Sequence, residues 1–209
     1  MSEAWPYLAS GVVFGLAAGV SPGPMLALVI SETLRRGRRA GLLVALAPLV
    51  SDAPIVGASV LVLAQVARSA LVLGLICLVG AGFVAYLAYE SLRVTGLAEP
   101  VPGGGARSLT RGVALNFLNP HPYLFWMAVG GPTVLAAQAL GWRAPAAFLV
   151  SFYALLVGSK MAVAVLVDRS RGALTGRGYV WVMRGLGVVL LVFAALFARD
   201  GVGRLSQGF

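Results

Sequence analysis

Two charged side chains, Asp52 and Lys160, stand inside stretches that are otherwise apolar. A charge at the centre of a membrane helix costs roughly 2.5–3.5 kcal/mol on insertion scales, so it marks a pathway, a proton relay or a paired charge. Two proline-rich tetrapeptides interrupt apolar stretches in the same way: Ser21-Pro22-Gly23-Pro24 and Asn119-Pro120-His121-Pro122. Proline removes a backbone donor and clashes with the preceding turn, so a helix must stop there. Free backbone in hydrocarbon is tolerated only where protein or a polar cavity covers it. Ser and Asn are preferred N-caps and Pro suits the first helical position, so Ser21-Pro22 and Asn119-Pro120 each read as the start of a new half-helix. The open N–H groups and positive dipole end of such a half-helix suit an anion, most simply a carboxylate. Gly23 allows close approach of backbone or ligand. Asn116 adds an amide beside the second break, where a purely structural interhelical bond is the competing role. His121, the one histidine, is read as a partner for backbone freed by the break rather than as a proton carrier.

These groups need long apolar elements to carry them, and the chain supplies little else. It has 209 residues, 59% hydrophobic and 11% charged, with a mean hydropathy of +0.91. An ordinary soluble domain is about a quarter charged, so this is an all-α integral membrane protein by composition. Six spans are predicted, at about 5–33, 40–66, 70–92, 111–140, 144–167 and 179–198. The first and fourth exceed one bilayer crossing, as two half-helices around a break would. Residues 1–209 then form a single transmembrane domain. It consists of a three-helix half over 5–92, a cytoplasmic linker over 93–110 containing Pro100, Pro102 and Gly103-Gly104-Gly105, and a second half over 111–198.

An odd number of helices per half makes the second half enter from the opposite face, so the halves are expected to be inverted repeats. Breaks in helices one and four match, as do the lone charges of helices two and five. Asp52 and Lys160 lie about 8 Å apart in depth and lean toward each other, since side chains tilt toward their helix's N-terminus. Gly11, Gly15 and Gly19 form a small-residue stripe for close packing, inside the bundle or across a homodimer. Tyr86, Tyr89 and Glu90 are expected at the interface, with Glu90 partnering Arg93.

The net charge of +9 gathers in loops and not on an amphipathic stripe, so no nucleic-acid partner is implied. Arg35, Arg36, Arg38, Arg39, Arg93, Arg107, Arg111, Arg169, Arg171 and Arg177 belong to the odd loops; Arg68, Arg143, Arg199 and Arg204 belong to the other side. The positive-inside rule then places the odd loops in the cytoplasm and both termini outside. Cys77 has no second thiol for a disulfide and no cluster for a metal, so it reads as a small buried hydrophobe. No catalytic set of residues, cofactor motif or metal motif is present, and an enzyme is not expected.

At these residues the chain resembles the lysine exporter (LysE) superfamily, of the homoserine/threonine-exporter type. The likeness is carried by Gly19-Val20-Ser21-Pro22-Gly23-Pro24, by Gly82-Phe83-Val84-Ala85-Tyr86-Leu87-Ala88-Tyr89, and by Arg111-Gly112 through Asn116-Phe117-Leu118-Asn119-Pro120. His121 departs from the lysine usual after the second Asn-Pro, which removes a fixed positive charge. The resemblance implies export of amino acids or similar small solutes across a prokaryotic plasma membrane, driven by the proton gradient. The expected substrate site is Ser21, Pro22, Gly23, Pro24, Asp52, Asn116, Asn119 and Pro120, with Asp52 and Lys160 coupling to protons. The expected partners are a small-molecule substrate and membrane lipid. The competing expectation is a metal-cation exporter on the same scaffold, which would want more carboxylates, hydroxyls or thiols at depth.

Overall fold

The computed structural model describes residues 4–21, 23–62, 70–95, 105–170 and 177–206, and their regular structure is entirely helical. In chain order the helices are α1 (Trp5–Val20), α2 (Pro24–Arg36), α3 (Arg38–Ala45), α4 (Ala47–Val62), α5 (Ala70–Leu92), α6 (Gly105–Phe117), α7 (Pro120–Phe125), a π-helical turn (Trp126–Gly130), α8 (Gly131–Gln138), α9 (Arg143–Ser170) and α10 (Arg177–Ser206). Among the described residues, Arg38–Gly57, Arg143–Ser170 and Arg177–Ser206 are long and apolar enough to cross a membrane. The α1–α2 pair, bent by 59°, makes a fourth crossing if counted as one span. Large apolar side chains lie on the outside, among them Val13, Leu16, Leu75, Val79, Val150, Leu166, Val188 and Val192. In water such a surface would drive aggregation; in a bilayer it is the solvated face.

The breaks fall where the prolines put them, with one correction. α1 ends at Val20 and Ser21 is extended, but the cap of α2 is Gly23 and its first residue is Pro24. The second Pro of the tetrapeptide, not the first, therefore opens the new half-helix; Pro22 itself lies outside the described residues. The second break follows the prediction: Asn119 is the cap, Pro120 takes the first helical position, and the Asn119 side chain accepts from the His121 N–H at 3.1 Å. α6 begins at Gly105, inside the stretch expected to be linker, so residues 105–110 are helix.

Two interfaces organise the bundle: α5 lies along α10, and α1 lies along α9. The glycine stripe sets the second. A Cβ at Gly11 would fall on Ser151 and Phe148, at Gly15 on the Phe152 carbonyl, and at Gly19 on Ser159. The stripe is thus spent inside the chain, where small residues let two backbones approach. α6 packs against α3 and α4 at Gly112, where a Cβ would meet Ala47 and Val44. Asp168 of α9 accepts from the Arg38 N–H at 3.1 Å, tying the end of α9 to the start of α3.

Candidate functional site

Both breaks open onto one cavity of about 330 Å³. Of the residues expected to form the site, Ser21, Gly23, Pro24, Asp52, Asn116, Asn119 and Lys160 line it. Pro120 is buried at the start of α7 and is not part of the wall. His121 also faces the cavity.

Asp52 and Lys160 share that wall without forming an ion pair; among the described residues every salt bridge lies elsewhere. The Asp52 carboxylate accepts from Asn116 Nδ2 at 2.6 Å and from the Tyr153 hydroxyl at 3.2 Å. Asn116 also donates to Ser51 Oγ at 2.7 Å, so its amide is committed to holding α6 against α4 and to orienting the carboxylate. Lys160 Nζ donates to the carbonyls of Ala18 at 2.9 Å and Gly19 at 3.1 Å. Those oxygens belong to the last turn of α1, where the break removes the N–H groups that would have used them. The lysine therefore caps a broken helix with a positive charge at the negative end of its dipole. An ammonium has three donors, so one remains for a ligand. At the second break the equivalent duty falls to Tyr123, whose hydroxyl donates to the Phe117 carbonyl at 2.9 Å.

The second break has less to offer an anion than the first. Asn119 N–H bonds to the Asn116 carbonyl at 3.3 Å and His121 N–H to Asn119 Oδ1 at 3.1 Å. The end of the cavity better suited to an anion is accordingly the α2 start together with Lys160.

Sequence reasoning missed the aromatic wall. Phe125 and Phe152 stack with centroids 5.0 Å apart; Trp126 meets Phe152 edge-on at 5.6 Å and stacks with Tyr153 at 6.2 Å. Trp126 is 1% exposed, and its indole N–H faces the Asp52 carboxylate without meeting full hydrogen-bond geometry. It sits in the π-helical turn, and Gly130 is needed beneath it because a Cβ there would run into the indole ring. π-turns inside α-helices often mark functional sites. Aromatic residues are common in membrane helices, so composition gave no reason to single these out.

An ionic network was missed as well. Glu32 of α2, 1% exposed, takes Arg111 at 2.9 Å, Arg36 at 3.2 Å and the Ser108 hydroxyl. Arg111 reaches on to Glu90 at 2.9 Å, which Arg35 approaches at 3.5 Å. The expected Glu90–Arg93 pair is absent, because Arg93 lies over the Tyr89 ring at 4.4 Å instead. An acidic residue eight positions into an apolar half-helix was the available signal for Glu32. Along α2, Glu32 stands about 12 Å from Pro24, so the network ties α2, α5 and α6 together on the arginine-rich side of the cavity.

A broken-helix bundle around a buried charged cavity defines a membrane translocator, and comparison with known proteins agrees. The chain belongs to the LysE family: the model of the LysE type translocator matches residues 16–201. It is 32% identical over 203 residues to the chemotactic transduction protein ChpE of Pseudomonas aeruginosa, covering 91% of this chain and 96% of that one. No solved structure matches. The chain is therefore a multi-pass transporter and not an enzyme.

Proposed function

We propose that this translocator exports amino acids or similar small zwitterions across the plasma membrane of a prokaryote, with Asp52 exchanging a proton for the substrate's ammonium group. The observation that carries the reading is that Asp52 and Lys160 line one cavity without a direct ion pair between them, each held by neutral partners. Groups of both signs spaced apart along one low-dielectric cavity favour a ligand that carries both charges. The substrate carboxylate rests on the free Lys160 donor and the start of α2, flanked by Ser21 and Gly23; Asn116 and Asn119 frame the ammonium end near Asp52. A bare metal cation is the less suited cargo, because no three His, Cys, Asp or Glu side chains gather for one among the described residues.

The packing supports an architecture of six spans in two inverted halves. α1 against α9 is echoed by α6 against α3 and α4, and α5 against α10 joins the halves. Purified protein in liposomes, preloaded with unlabelled amino acids, is expected to exchange external labelled amino acid, and wild type is expected to acidify or alkalinise the lumen as it transports against a gradient. Asp52→Asn is expected to abolish net transport. Net transport at the wild-type rate in Asp52→Asn would remove the coupling role, and exchange of divalent metal in place of amino acids would select the competing cargo.

A further inference from the structure

The zwitterion site accounts for two polar ends of the cavity but not for its remaining wall. That wall is built from Met25, Leu26, Phe125, Phe152, Leu156 and Phe193. It brings together α2, α7, α9 and α10, and the Phe125–Phe152 stack gives it a flat, firm face. The cavity holds about 330 Å³, the space of roughly ten waters at about 30 Å³ each, which is more than an α-ammonium and α-carboxylate occupy. The rest leaves room for a side chain.

The wall offers that side chain nothing charged. Asp52 and Lys160 are the lining charges, and in the proposed pose they are taken by the α-groups. The polar lining residues are not part of this wall: Asn116 is committed to Asp52 and Ser51, Asn119 Oδ1 to the His121 N–H, and the Trp126 N–H faces Asp52, while Ser21 flanks the start of α2 and the His121 ring lies against Phe197. A lysine or glutamate side chain would lose its hydration against aromatic and aliphatic surface with no counter-charge, and an unpaired buried charge is strongly disfavoured. A hydroxyl would lose hydrogen bonds that the wall does not replace. An aliphatic, thioether or aromatic side chain loses nothing polar and gains burial.

Resting on the amino-acid reading above, we infer that this transporter is selective for α-amino acids with uncharged, apolar side chains, of the leucine, methionine and phenylalanine kind, and that the Met25–Phe125–Phe152–Phe193 wall sets this selectivity. The test is counterflow by the full chain in liposomes, with labelled leucine, methionine, phenylalanine, lysine, glutamate and serine run in parallel. The three apolar substrates are expected to exchange at least about tenfold faster than the other three, since the wall leaves a charge or hydroxyl unpaired. Phe193 faces the cavity from α10. Phe193→Glu is expected to raise lysine exchange several-fold relative to leucine, while Phe193→Leu keeps the wild-type order. Lysine or serine exchanging within about twofold of leucine overturns the selectivity and leaves the amino-acid reading standing. No exchange of any of the six by monodisperse, reconstituted protein overturns both. An unchanged lysine-to-leucine ratio in folded Phe193→Glu removes the wall from the assignment, and the wild-type panel decides the class even if that variant fails to fold.

Discussion

Lys160 shows how a residue legible in the sequence can hold a different partner in the fold. A lone lysine and a lone aspartate at similar depth invite pairing, yet Lys160 bonds the carbonyls of Ala18 and Gly19 and Asp52 bonds Asn116 and Tyr153. The break in helix one explains the choice, since it orphans carbonyls that a fixed ammonium can satisfy. Mutual compensation is therefore not expected. Lys160→Met should lose about 3 kcal/mol of stability, the scale of charge-assisted hydrogen bonds removed from buried acceptors. Adding Asp52→Asn should not restore it, and recovery of the melting temperature in the double variant would argue for a direct charge pair. Trp126 gives a second prediction. Its indole N–H faces the Asp52 carboxylate, so Trp126→Phe removes a donor directed at that group and should cost about 1–3 kcal/mol; a thermal melt in detergent decides. Polar residues at depth are rare, which is why Asp52, Lys160 and Asn116 stood out. Tyr153 and Trp126 did not, because their polar ends matter only through what the fold places opposite them.

The elements were legible wherever covalent chemistry dictates them. Proline fixed the two interruptions, but with two X-Pro steps in a row at Ser21–Pro24 the sequence pointed to Ser21-Pro22 as the helix start, whereas the fold starts it at Pro24. The π-helical turn at Trp126–Gly130 had no such marker, since neither residue type forbids an ordinary turn. Side-chain pairing was legible only locally: Arg93, three residues from Glu90, was the obvious partner, while Arg111 arrives from another helix. Close packing of α1 on α9 can be tested directly. Gly15→Ala places a methyl group on the Phe152 carbonyl, which is backbone and cannot rotate away, so a loss of about 1–3 kcal/mol is expected from overpacking. It should also disturb exchange by moving the Phe152 wall. Arg111→Met leaves Glu32 buried beside Arg36 alone and should cost about 3–5 kcal/mol, the usual penalty for removing one member of a buried ionic set. Arg111→Met with Glu32→Gln should recover part of that loss in the same unfolding measurement.

On the scale of the whole molecule, the basic residues and the ionic contacts agree on one face. Arg35 and Arg36 meet the Glu32–Arg111–Glu90 network, which brings the ends of α2 and α5 to the start of α6. The Arg38 N–H on Asp168 brings the end of α9 to the same side. The ends of the odd loops thus converge, as charge counting alone had grouped them. In the sequence the halves correspond only by the placement of breaks and lone charges, since their residues do not match; in the fold α6 lies on α3 and α4, and α1 lies on α9. Which side of the membrane holds the converged face follows from the arginine excess. Reporter fusions truncated after Arg39, Gly104 and Arg171 are expected to give cytoplasmic signals, and reporters at either terminus of the full chain a signal outside. A split result among the three loops would contradict the convergence seen in the structure. A uniform reversal would instead leave the fold intact and turn the arginine-rich face outward, so that the proposed export would have to run from the opposite face.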